Sequence, residues 1–136
     1  MELQEFYDKY GVTKKDVFHL VLGQKNDILP GRGFSGYLVV VGDDEMVCYN
    51  DRGDKTEYKI PYSAFQKAEF GIGSGNLWLQ CEVNGSFFVF CTTRGGWKSE
   101  QGKRLMDKIN EVTPIEGMKE YQQYTGKLFW LYALIK

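Results

Sequence analysis

Asn84-Gly85 stands between two runs, LWLQCEV and SFFVFCT, in which side-chain character changes from one residue to the next. A two-residue type I′ turn needs positive φ at both central positions, and Asn-Gly meets that need with the least strain. The turn fixes a register. It sets Val83 opposite Ser86, Cys81 opposite Phe88, Leu79 opposite Phe90 and Leu77 opposite Thr92, and alternation along a strand gives these residues one shared face. That face is expected to be core. Trp78, Gln80, Glu82, Phe87, Val89 and Cys91 take the other side, a mixed face expected to be partly covered.

The same period of two runs back to Tyr37, with turn residues between short apolar runs. It predicts antiparallel strands near residues 37–41, 46–50, 56–60, 66–72, 77–83 and 86–92. Upstream, Leu3, Phe6, Tyr7 and Tyr10 recur at helical spacing and Gly11 stands where a C-cap would. Thr13 and Asp16 resemble a capping pair for a second helix carrying Val17, Leu20 and Val21, although VFHLVL is also β-branched and aromatic enough for a strand. Residues 24–36, with Pro30 and three glycines, read as a loop. Downstream of Arg94-Gly95-Gly96, an amphipathic helix carries Trp97, Gln101, Leu105, Ile109 and Val112 on one stripe, and Pro114 ends it. A further stretch looks helical at Met118, Tyr121 and Tyr124.

A chain of 136 residues is the size of one domain with one core. The reading divides it into a helical N-terminal extension and loop (1–35), a β-rich core (36–112) and a helical C-terminal extension (113–136). Seventeen basic and eighteen acidic residues leave a net charge of -1, so no long-range field draws the protein to nucleic acid. Cys48, Cys81 and Cys91 are odd in number and lie in apolar runs, which suits reduced thiols. The opening MELQEFYDKY lacks the basic and apolar regions of a signal peptide, so the expected compartment is the cytoplasm.

Meandering strands closed by one amphipathic helix resemble the pleckstrin-homology-like superfold, in particular its bacterial and GRAM-type members. The resemblance rests on GYLVVVGDDEMVCYN, YKIPYSAFQKAEF, LWLQCEVNGSFFVFCT and the helix KRLMDKINEV, over roughly residues 36–112. It implies an α+β fold, a small antiparallel β barrel or bent sandwich of six to seven strands closed by the C-terminal helix, and it leaves both ends unexplained; the extra helices there come from the apolar spacing of the residues. Six strands are counted against the superfold's seven, so the missing one is VFHLVL or a short piece before Gly36. The superfold hosts lipid binders, peptide binders and scaffolds alike. In its phosphoinositide binders, basic side chains of the first hairpin loop hold the headgroup phosphates. On the six-strand count that loop is Gly42-Asp43-Asp44-Glu45, whose carboxylates repel phosphate, so no specific phosphoinositide binding is expected. If VFHLVL is strand one, the loop instead contains Lys25 and Arg32.

GRGFSG, residues 31–36, matches the G-x-G-x-x-G pattern of nucleotide sites, but such sites need a strand before it and a helix N-terminus after it. Here it leads into a strand, and it reads as a loop delivering the chain to the first hairpin. Gly71, Gly73 and Gly75 in FGIGSGN read as a bulge or loop at a sheet bend. Asp43, Asp44, Asp51 and Asp54 read as turn formers. His19, the lone histidine, reads as a packed or surface residue, and no catalytic, metal or cofactor constellation is assigned. A small-molecule-binding protein or small enzyme with its site at the sheet-helix junction, near Arg94, Trp97 and Lys98, is one alternative reading, and a peripheral membrane surface is another. The leading one is a non-enzymatic cytoplasmic interaction module that binds a protein partner or a second copy. Its contact segment would be LFWLYALI, residues 128–135, with Leu128, Phe129, Trp130, Leu131 and Tyr132 foremost, because so long an apolar run needs a cover. Deletion of residues 128–136 is expected to change oligomeric state or partner capture, measured by light scattering and pull-down; an unchanged monomer would remove the segment's role.

Overall fold

The computed structural model describes residues 1–24, 33–73 and 76–117. A first helix, α1 (Leu3–Tyr10), ends on Gly11, whose φ of 62° is the left-handed cap that glycine supplies without strain. Then come β1 (Phe18–Gln24), β2 (Gly33–Val41), β3 (Glu45–Tyr49) and β4 (Glu57–Pro61). A single 3-10 turn at Tyr62–Ala64 leads to β5 (Phe65–Gly73), β6 (Asn76–Val83) and β7 (Ser86–Thr92). Two helices follow, α2 (Arg94–Lys98) and α3 (Glu100–Val112), and then a two-residue strand, β8 (Glu116–Gly117). The fold class is α+β. Seven antiparallel strands form one unclosed sheet in the order β4-β3-β2-β1-β7-β6-β5, and β8 adds in parallel to the β5 edge.

VFHLVL is the seventh strand, not a second helix. Asp16 accepts hydrogen bonds from the Thr13 amide (2.8 Å) and hydroxyl (2.9 Å), which closes a single turn at residues 13–16 and lets the chain leave it extended. Phe18, Leu20 and Leu22 then alternate into the core, while His19 and Val21 face outward. Helical spacing would have left Phe18 and Leu22 off the buried stripe; pairing to β2 on one side and β7 on the other decides the matter. The sheet therefore begins at Phe18, upstream of Gly36, and β2 begins at Gly33 where a loop was expected.

The β6–β7 hairpin has the register read from Asn84-Gly85, whose φ values are 52° and 80°. Leu77, Leu79, Cys81 and Val83 face the core with Phe88 and Phe90. The bulge expected at the FGIGSGN glycines lies earlier in β5: register slips between Gln66 and Glu69, around Lys67 at φ 54°, whereas Gly71 and Gly73 pair regularly with Trp78 and Asn76. Residues 74 and 75 lie outside the described residues.

Two helices replace the one expected after Gly96. Ser99 separates them because it leaves helical geometry, with ψ near 161°, and its hydroxyl accepts from the Gly102 amide at 3.1 Å to cap α3. Leu105, Met106 and Ile109 are buried, but Val112 is 45% exposed and does not complete the stripe. Trp97 is fully buried; its indole NH donates to the Leu77 carbonyl at 3.1 Å, and its ring meets Phe70 edge-on at 5.5 Å. Arg104 pairs with Asp43 at 2.6 Å and ties α3 to the β2–β3 turn.

The outer face of β2 and β3 has its own small core. Phe6 of α1 stacks on Tyr49 at 4.5 Å, and Leu38, Val47 and Val17 pack around them. Lys9 and the Tyr10 hydroxyl both donate to Glu57 on β4. Burial pushes the Glu57 carboxyl up, but the two donors more than offset it and hold the group below its ordinary value of 4.5. Its stabilising effect is complete above that ordinary value and is lost as pH falls through the lower native one. Between pH 6 and pH 3.5 the wild-type thermal midpoint is expected to fall a few degrees further than that of Glu57→Gln, by circular dichroism.

Gly102 is close-packed: a Cβ there would lie 2.3 Å from the Gly96 carbonyl oxygen and 2.8 Å from that of Trp97. Gly36, by contrast, faces open space. Gly102→Ala is expected to cost about 1–3 kcal/mol, and Gly36→Ala to stay within about 0.5 kcal/mol, both read from urea midpoints.

Candidate functional site: a groove on the outer face of the sheet

Helix α1 covers the β2–β3 part of the outer face and reaches Glu57 on β4. Beside it, pairing across four strands sets Gly36 (β2), Val21 (β1), Cys91 (β7) and Trp78 (β6) in one transverse row, all pointing outward. A groove of about 850 Å³ opens over this row. The β3–β4 loop, at Asn50, Asp51, Arg52 and Gly53, forms one wall, and Thr92 and Thr93 stand on the opposite side with His19 at the rim. The absent side chain of Gly36 helps make the depression, since nothing lies within 4 Å of where a Cβ would be. Val21 at its centre is 40% exposed, the only strand-interior residue among the large exposed apolar side chains described.

The groove mixes an apolar floor with a polar rim in the size range of ligand pockets. Cys91 is 8% exposed, and burial raises its thiol above the ordinary value. That is opposite to the shift that makes a thiolate nucleophile. Cys48 and Cys81 lie in the core, both pushed up to about 12 by burial. All three cysteines are free thiols. Among the described residues no three His, Cys, Asp or Glu side chains are placed to hold a metal ion. A second hollow of about 380 Å³ lies between the β2–β3 turn and α3, lined by Asp43, Asp44, Lys108 and Glu111 among others.

His19 is a surface residue on β1. Trp97 is a core plug and Lys98 is exposed, and neither lines either hollow; Arg94 is the first residue of α2. Leu128, Phe129, Trp130, Leu131 and Tyr132 lie outside the described residues, as do Met118, Tyr121 and Tyr124. In GRGFSG, Gly31 and Arg32 lie outside them as well, while residues 33–36 pair with β1 in an antiparallel ladder and lead into no helix. Among the turn aspartates, Asp54 accepts from the Thr56 amide at 3.2 Å. With VFHLVL as strand one, Gly42–Glu45 spans the second hairpin's turn, and the first hairpin's connection carries Lys25 and Arg32, which lie outside the described residues.

The groove was not read from the sequence. Its signals were Val21, an apolar residue on the side of VFHLVL away from Phe18, Leu20 and Leu22, and the Trp78–Cys91 pair on the mixed face of the Asn84-Gly85 hairpin; that these lie side by side depends on β1 pairing with β7, two strands far apart in the chain. Among the described residues no helix is long and apolar enough to cross a membrane. Comparison of the sequence with protein-family models and with curated proteins gave no match.

Proposed function

We propose that the chain is a non-enzymatic interaction module of pleckstrin-homology-like type, binding an apolar segment of a protein partner in the outer-face groove. The observation that carries this reading is the transverse row Gly36–Val21–Cys91–Trp78 beneath an open groove, with Val21 exposed in the middle of a sheet. An exposed apolar floor rimmed by polar side chains suits a peptide better than a charged ligand. The pleckstrin-homology-like part of the reading is supported by seven antiparallel strands followed by a helix packed on the sheet. The raised Cys91 thiol favours binding over nucleophilic chemistry.

Selection of a random peptide library on the full chain is expected to enrich apolar sequences. Their binding should weaken at least tenfold on Val21→Asp or on Gly36→Trp, which fills the open space, and persist on Lys14→Glu, an exposed residue in the 13–16 turn. Enriched peptides indifferent to both groove variants would sink the reading.

The membrane-surface alternative regains an argument from the strand count, because the hairpin connection in question carries Lys25 and Arg32 rather than three carboxylates. Sedimentation with anionic liposomes at low salt tests it, and absence of co-sedimentation removes it.

A further inference from the structure

The groove lies at the end of a path that starts where the described chain stops. In β8, Glu116 pairs with Glu69 and Gly117 with Phe70, in parallel. The next residue of β5, Gly71, pairs with Trp78, and Trp78 belongs to the row that forms the groove floor. Gly117 is thus one position short of the row that crosses the sheet through Trp78, Cys91 and Val21 to Gly36. Beyond it come ten residues, 118–127, and then the eight uncharged residues 128–135, LFWLYALI.

We propose that residues 128–135 occupy the groove of their own chain, so that a partner segment binds by displacing them. This rests on the reading of the groove as a peptide site and names its resident occupant. The reach suffices: with strands about 4.8 Å apart, Trp78 is roughly 10 Å and Val21 roughly 19 Å across the sheet from β8. Ten residues span up to about 33 Å if extended and about 15 Å if helical, enough in either case to reach Trp78. The chemistry matches too. An extended segment sends alternate side chains to one face, and LFWLYALI can offer an apolar set to Val21, Trp78 and Cys91 in any register. Lys127 and Lys136 bracket it, leaving charges only at its ends, where the groove rim is polar. A short tether also holds such a segment at an effective concentration in the millimolar range, so a weak contact in one chain competes well with a free partner.

Cys91 on the groove floor is a native reporter, because Cys48 and Cys81 are locked in the core. In the folded full chain, Leu131→Asp is expected to speed reaction of one thiol with a disulfide reagent at least fivefold, with the other two still protected. An unchanged rate overturns the proposal. Should the variant release all three thiols together, meaning that it unfolds, a cross-link series decides: Val21→Cys combined in turn with a single substitution to Cys at each of residues 128–135, in a Cys91→Ser background, should give an intramolecular disulfide in a monomer for at least one position. No cross-link, or a cross-linked dimer, overturns occupation by the same chain. Library peptides that still depend on Val21 would then leave the groove's function standing with a foreign occupant, whereas peptides indifferent to Val21 would remove both.

Discussion

Strand β1 is hydrogen-bonded on both sides, to β2 along its whole length and to β7 from Val21 to Gln24. Without it the β2–β3–β4 meander and the β5–β6–β7 meander would be separate sheets, each with a raw edge. With it, their inner faces become one surface, and Phe18, Leu20 and Leu22 supply its middle. Helix α3 then packs on a continuous core through Leu105, Met106 and Ile109, while Trp97 of α2 reaches both Phe18 of β1 and Phe70 of β5.

The double pairing also creates the site. A strand with partners on both sides cannot turn its second face away, so Val21 must look outward wherever Leu20 looks in. The outer face is divided by what covers it. Over β2 and β3, α1 lays Phe6 on Tyr49 and ties its end to Glu57. Over β1 and β7 there is instead a groove whose floor combines a missing side chain at Gly36 with apolar ones at Val21 and Cys91. On the proposed reading, such a face would hold an extended apolar segment through side-chain contacts, leaving its own backbone ladder intact.

What could be read from residue order alone was whatever a few adjacent residues decide. Asn84-Gly85 dictated a turn, and with it a register of seven pairs that stands in the structure, because backbone sterics at two positions leave little choice. The stripe Leu3, Phe6, Tyr7 and Tyr10 with Gly11 likewise specified α1, and the period of two specified six strands to within a few residues. Local signals competed at VFHLVL, where apolar spacing suits helix and strand alike, and the competition was settled by backbone partners from β2 and β7 that lie distant in the chain. The same holds in reverse for Val112: its place on a helical stripe is a local fact, but the way α3 packs on the sheet buries Leu105, Met106 and Ile109 and leaves Val112 exposed.

The groove belongs mainly to the second category. Gly36, Val21, Cys91 and Trp78 are spread over about seventy positions; the Asn84-Gly85 register sets Trp78 opposite Cys91, but nothing in the spacing brings Val21 and Gly36 beside them. Sequence determined that each would sit on a particular face of a particular strand, because side chains alternate. Tertiary structure decided which strands would lie side by side, since cross-strand order depends on pairing energies and core packing between distant segments, and so it alone turned four separate residues into one surface.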